Sequence, residues 1–559
     1  MQWIGTSGRR ARGAAAVGHV LSRARGARWF GWLLRAPITR SIADAVYRFV
    51  ANHRGASSRI DRWLTGSHPR PARHARIRRV FFVALGATFY AAFTSLRRQV
   101  IGLYGKDGIL PVDDRLAHAR TLGPRALRHA PTIFLYDASD RALLDATRHG
   151  QVLSIALILG IEPRITALAL WAYYLSFVTV GGDFLGFQWD ALLVESALHA
   201  AVVAPPATRS RRHEEPTALQ VALMRALVFR LHFESGLVKY RSPDACWRDS
   251  SALCHYYETA PLPTRFGWYA HHLPLRFQRL STRAALWIEL AAPFLVFGPR
   301  RARMAAFALL TGLQSLIAIT GNYGFFNLLA VALNLWILDD GVFTDDRRSI
   351  DAPSTLRALA LDGAALSLAS IGATSLASMY ARRRDLPRWG WTVLSTIAPF
   401  RSVNTYGPFS VMTTTRPEIV VEGSNDREHW VQYPFAYKID QPMRAPRWVA
   451  PHQPRLDWQM WFAALGGVPT WFVHFVQRLL EGSRDVIGLL DHDPFPDAPP
   501  RYVRARLDDY RSTSIQAHRE TGLWWSRRPV DSYLPAVTLG PTQRSPHVRD
   551  DLRNRARHP

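Results

Sequence analysis

About nine apolar stretches, give or take two, each fenced by arginines or a turn, restrict this chain more than any other feature. A helix rises about 1.5 Å per residue, so roughly 17–25 apolar residues match a hydrocarbon layer about 30 Å thick. The candidates are 80–96, 143–161, 165–180, 189–203, 219–240, 284–297, 304–320, 324–338 and 356–379. The mean hydropathy of -0.07 conceals them, because the intervening stretches are strongly basic. Orientation follows from arginines in short loops. With the N-terminal leader cytoplasmic, Arg209 to Arg212 and Arg300 to Arg303 fall on the same side, and the turn Gly321-Asn322-Tyr323-Gly324 falls outside. Arg382, Arg383 and Arg384 run against that scheme.

The net charge of +27 is almost all arginine, since only Lys106, Lys239 and Lys438 are lysines, and that bias points to a bacterial, GC-rich source. Seventeen arginines against two acids precede Val80. A nucleic-acid role is excluded as the reading of this charge, because no stacking aromatics or nucleic-acid fold motif accompany it. The leader, 1–76, is expected to be largely disordered, with 29–50 able to lie on a membrane surface. It shows no cleavable signal pattern. Residues 77–385 form the expected helical polytopic bundle. Residues 386–543 read as a soluble α+β domain rich in antiparallel strands, and 544–559 as a disordered tail.

In that domain Glu418 to Glu422 and Trp430 to Tyr437 alternate about the turn Gly423-Ser424-Asn425-Asp426, which predicts a hairpin. Helices are predicted over 458–465 and 470–480, and 494–501 is Pro-rich and extended.

Ionisable groups inside apolar spans are costly and mark sites or structural pairs. The polar cluster comprises Asp190, Glu195 and His199 in the fourth span and Arg225, Arg230, His232, Glu234 and Lys239 in the fifth. Glu195 and His199 share a helix face, as do Arg230 and Glu234, while Arg225, His232 and Lys239 recur every seven residues. These groups fit interhelical hydrogen bonding or a cavity between the fourth and fifth spans suited to acid/base work or an anion. Asn327 and Asn334 read as interhelical glue.

Cys246 and Cys254, the two cysteines, could form one disulfide on an oxidising face or remain thiols. Neither a four-thiolate zinc site nor any other metal site is expected, adjacent His271 and His272 included. No phosphate loop or Gly-x-Ser-x-Gly elbow is present, so no catalytic residue is assigned and no cofactor is expected.

Several long strings resemble the lipase maturation factor family. They are Phe187-Gln188-Trp189-Asp190-Ala191-Leu192-Leu193-Val194-Glu195, Ser235-Gly236-Leu237-Val238-Lys239, Thr320-Gly321-Asn322-Tyr323-Gly324-Phe325-Phe326-Asn327, Val403-Asn404-Thr405-Tyr406-Gly407-Pro408-Phe409, Arg416-Pro417-Glu418-Ile419-Val420 and Ala450-Pro451-His452-Gln453-Pro454-Arg455-Leu456-Asp457-Trp458. The likeness runs from about residue 76 to about 537. It implies a multi-pass protein that helps secreted homodimeric lipases fold and assemble. Its site would be the plasma (inner) membrane in a bacterium, or the endoplasmic reticulum in a eukaryote. It singles out the turn and helix around Asn322, Tyr323 and Asn327. It also implies a non-cytoplasmic C-terminal domain whose Trp430, Tyr433, Trp458 and Trp461 contact a lipase or other secreted client, unless they form the domain's own core. Membrane lipid is the other expected partner and nucleic acid is not one. A remoter likeness, to vitamin K-dependent carboxylases, offers an alternative enzyme with His232, Lys239 and Glu195 as acid/base groups.

Overall fold

The computed structural model describes residues 2–4, 10–12, 14–22, 44, 52, 72–205, 214–343, 355–380 and 387–540. The amphipathic run expected at 29–50, the arginine clusters at 209–212 and 382–384, and the tail from 544 lie outside them. Within the leader, for which disorder was expected, strands Gln2–Ile4 and Arg10–Arg12 pair antiparallel and helix Ala14–Leu21 follows. Alanine, the best helix former, makes up the start of that helix.

All nine candidate stretches are helical: α1 Ala75–Arg97, α2 Asp140–Leu159, α3 Pro163–Val180, α4 Gln188–Val203, α5 Ala218–Arg241, α6 Leu275–Leu295, α7 Arg300–Thr320, α8 Phe326–Asn334 and α9 Thr355–Ser378. Punctuation is local. Ser139 caps α2 through the Ala142 amide, Gly160 ends it in the left-handed conformation, and Pro163 opens α3. Among the described residues, three helices are by themselves long and apolar enough to cross a membrane: Ala75–Arg97, Arg300–Thr320 and Leu356–Ser378. The others fall short for visible reasons. Helix α4 has 16 residues and α8 nine, α5 carries five cationic or acidic groups between Arg225 and Arg241, and α2 opens with Asp140, Arg141, Asp145 and Arg148.

Helix α4 is nearly all buried, whereas α9 leaves Leu356, Leu359 and Leu366 exposed at the periphery. Between α1 and α3, Phe93 packs edge-on to Tyr174 at 5.3 Å and to Phe177 at 6.4 Å. At one end of the bundle arginines tie helix termini together. Arg78 donates to the carbonyls of Val203 and Glu214, Arg225 to Trp336, and Arg303 to Ile337, with Asp339 paired to Arg303. The amides of Arg76 and Ile77 donate to Asp340. The starts of α1, α5 and α7 and the ends of α4 and α8 therefore share one end, as alternating spans require.

The C-terminal region builds a four-stranded antiparallel sheet of order β2-β1-β3-β4, with β1 Pro417–Ser424, β2 Val431–Gln432, β3 Tyr502–Ser512 and β4 Trp525–Val537. Ile419 faces Leu507 and Val421 faces Ala505, which puts one apolar face on the core. The expected hairpin is correct for β1, but its second strand shrinks to two residues. Asp440 takes the Phe435 amide, and Asp457 takes those of Tyr437 and Lys438, so these amides leave the ladder. The main partner of β1 is instead β3, some 80 residues on. Helices α10 Arg455–Ala464 and α11 Thr470–Glu481 lie close to the expected positions. The described residues of 72–298 and 303–540 fall in one compact unit.

Candidate functional site

The seam between the helix bundle and the C-terminal region gathers Asp190, Glu195, Arg230 and Glu234, half of the polar cluster that the sequence singled out. Three buried joints make it up, one midway along α4 and α5 and two at the end of the bundle opposite the arginine ties.

The first centres on Glu195, which lies midway along α4 because the apolar run around it carries it inward. Arg230, on the facing side of α5, donates to Glu195 at 2.7 Å and to Glu234, one turn on, at 3.1 Å. All three side chains are buried. The segment 404–407 then enters between the helices. The Asn404 amide and side chain donate to Glu195 Oε2 at 2.7 and 3.0 Å, and the Tyr406 hydroxyl donates to the same oxygen at 2.6 Å. The Tyr406 amide donates to Glu234 at 2.8 Å, and Arg230 also reaches the Asn404 carbonyl. A Cβ on Gly407 would sit 2.7 Å from Val238, so that residue must be glycine-sized.

The second joint pairs Asp190, at the start of α4, with Arg455, at the start of α10. Both guanidinium Nη atoms donate to the carboxylate, at 2.6 and 2.8 Å, the Tyr174 hydroxyl adds a bond at 2.6 Å, and Arg455 also donates to the Phe184 carbonyl. The fork geometry suits a carboxylate.

The third is a set of backbone bonds. Asn322 donates to the Leu262 and Arg447 carbonyls and accepts from the amides of Val449 and Ala450. Ser95 and Gln99, at the end of α1, bond the Gln453 backbone, and Ser95 also meets His452 Nδ1 at 2.9 Å. Burial, then the nearby charges of Arg98 and Arg455, hold the His452 imidazole down at about 4. Tyr323 donates to the Tyr256 hydroxyl, and Asn327 bonds Gln314.

The remaining members of the polar cluster are distributed elsewhere. His232 bonds Asn334, Lys239 sits between both oxygens of Glu289 at 2.6 and 2.7 Å, Arg225 meets His74, and His199 bonds the Glu195 carbonyl. His232, Lys239 and Glu195 thus have separate partners, and these contacts pin helices together. Both cysteines are free thiols: Cys246 sits in the short helix Ala245–Arg248 and Cys254 in the next, Ala252–Thr259, and no bridge joins them. Among the described residues, no group of three His, Cys, Asp or Glu is placed to hold a metal ion.

The aromatic client-contact candidates divide between the two readings. Tyr433, Trp458 and Trp461 are buried, Trp458 against Trp189 and Tyr323 and Trp461 through its indole N–H to the Thr259 carbonyl. Trp458 and Trp461 lie on α10, which is buried at every residue but Phe462. Only Trp430 stays partly open, stacked under Arg504 at 4.0 Å.

Sequence reasoning did not assign Arg455, Asn404, Tyr406, Gln99 or Glu289 to a site. The available signal was the unpaired carboxylates themselves, since buried Asp190 and Glu195 demand donors that the neighbouring spans do not fully supply.

Comparison with known proteins fits this two-part construction. A family model described as lipase maturation factor transmembrane domain matches residues 76–345, and one described as lipase maturation factor C-terminal domain matches 402–535. The chain is 35% identical to lipase maturation factor 2 of Homo sapiens, over 83% of each chain. It is 30% identical to lipase maturation factor 1 of Mus musculus, over 82% of this chain and 87% of that one. It is also 30% identical to lipase maturation factor 1 of Homo sapiens, over 84% and 89%. No solved structure matches.

Proposed function

Because the chain belongs to the lipase maturation factor family, we propose that it is a multi-pass membrane factor that assists folding and assembly of secreted lipases or similar exported proteins. The observation that carries this reading is that the likeness runs through both the membrane bundle and the C-terminal region, the two parts that the buried joints lock together. A client emerging from the membrane would meet a platform of fixed height and orientation, because Arg455 and Tyr406 are anchored inside the bundle.

Nine spans, with the leader cytoplasmic and the sheet on the far side, are supported by two features. The helix ends alternate consistently, and the joints at Asp190, Ser95 and Asn322 lie opposite the arginine ties. A bacterial host would place it in the plasma (inner) membrane and a eukaryotic host in the endoplasmic reticulum. Trp430 remains the client-contact candidate on the open side of the sheet. The acid/base alternative loses its support from the separate partners of His232, Lys239 and Glu195.

The test is co-expression of a secreted homodimeric lipase in cells with and without this chain, at equal client protein. Active lipase in the secreted fraction should rise with the chain; equal specific activity in the two cell lines overturns the proposal.

A further inference from the structure

Between α10 and α11 runs an apolar loop whose exposure the maturation role does not explain. From Met460 to Val473 there is no charged side chain, in a chain with a net charge of +27. Phe462, Leu465, Val468 and Val473 are 44%, 43%, 38% and 48% exposed. A Cβ at Gly466 or Gly467 would meet nothing, so the backbone there is open too. Water is a poor neighbour for such a surface.

The loop is also held in place. The Tyr533 hydroxyl, from β4, donates to the carbonyls of Ala463 and Gly467 at 2.9 and 3.1 Å. Its position is fixed relative to the bundle by three contacts with the α3–α4 connection. Phe462 packs on Phe187 at 5.9 Å, Trp471 meets Phe184 at 5.3 Å, and Gln459 donates to the Asp183 carbonyl. Phe187 immediately precedes α4, whose 16 residues span only about 24 Å, less than the roughly 30 Å of a hydrocarbon core. Groups flanking the end of such a helix lie at or within the acyl boundary, not above it.

We infer that the 462–473 loop inserts into the outer leaflet beside α3 and α4, a monotopic lipid contact that adds to the spanning helices. The occupant is bilayer lipid: the patch is carried beside the outer end of the short α4, lacks the charges that a water-facing loop carries, and is tied to β4 and to the α3–α4 connection. Insertion would hold the sheet flush with the membrane.

The full chain is reconstituted into phosphatidylcholine vesicles with Cys246 and Cys254 replaced by Ser, and a bimane label is placed through Val468→Cys. Ser532→Cys, on exposed β4, is the aqueous control. Lipid doxyl-labelled near the headgroup should quench the 468 label at least twofold more than the 532 label, with iodide showing the reverse order. Iodide quenching at 468 equal to that at 532 overturns the inference. So does protection of 468 from both quenchers, which would mean a second copy or a client covers the loop. Thr470→Cys, on the same loop, repeats the measurement if Val468→Cys fails to fold.

Discussion

Glu195 accepts four hydrogen bonds from three residues, and a buried carboxylate inside a membrane helix is tolerated only while such donors are present. Removing its cation should therefore cost more than removing one neutral donor. Arg230→Met leaves Glu195 and Glu234 buried and unpaired, so thermal unfolding of the purified full chain in detergent should show a loss of about 3–5 kcal/mol. Tyr406→Phe deletes a single bond to a charged group and should cost about 1.5–3 kcal/mol. The two losses should be non-additive by more than about 0.5 kcal/mol, because both variants act on one carboxylate; strict additivity would mean that the joint is not a unit. Glycines give a second contrast. At Gly324, φ is +55 and a Cβ would fall on the side chain of Gln453, whereas at Gly312 a Cβ meets nothing. Gly324→Ala should lower stability by about 1–3 kcal/mol, and Gly312→Ala should leave it unchanged or slightly raised, in the same melt. The residue scale is also where reading from sequence reached least far. Asp190, Glu195, Arg230 and Glu234 stood out because charge is rare in apolar runs. Their partners Asn404, Tyr406 and Arg455 did not, because polar residues in a mixed segment are unremarkable.

Elements dock through their ends, and one such contact carries a titratable group. His452, in the loop before α10, bonds Ser95 at the last turn of α1. Its imidazole titrates near 6.5 in an unfolded chain and at about 4 here. Between those values the unfolded chain binds more protons, so this contribution is complete above pH 6.5 and is lost as pH falls toward 4. From pH 7 to 5 the folded chain should lose roughly 2 kcal/mol through this group. Unfolding at the two pH values should show that loss, and His452→Gln should remove it; an unchanged pH dependence in the variant would assign the effect elsewhere. The helices were legible because a run of mostly apolar residues, a cap and a proline are local signals. The sheet was half legible. Strand β1 alternates and was found, but β3 and β4 mix Arg, Asp, Ser and Pro with apolar residues, and β3 finds β1 across some 80 residues.

For the whole molecule, the depth of docking decides what a truncation does. A chain ending near residue 390 would leave Asp190 without Arg455, and Glu195 and Glu234 without the 404–407 segment. We expect such a chain to be degraded, with its level in the membrane fraction falling at least several-fold below full length by immunoblot. Accumulation at wild-type level would mean that the bundle is stable alone. Sequence by itself determined the helical membrane bundle, the sheet-bearing C-terminal region and the likeness to lipase maturation factors, since transfer of apolar runs and long matching strings are properties of contiguous residues. Tertiary structure alone decided that the polar cluster is a set of joints, that the aromatics of α10 are core, and that the two parts form one unit. The physical reason is range. Helix periodicity fixes which face a charge takes, but Arg230 lies 35 residues from Glu195, Tyr406 lies 211 from it, and Arg455 lies 265 from Asp190. At those separations nothing short of the packed fold selects the partner.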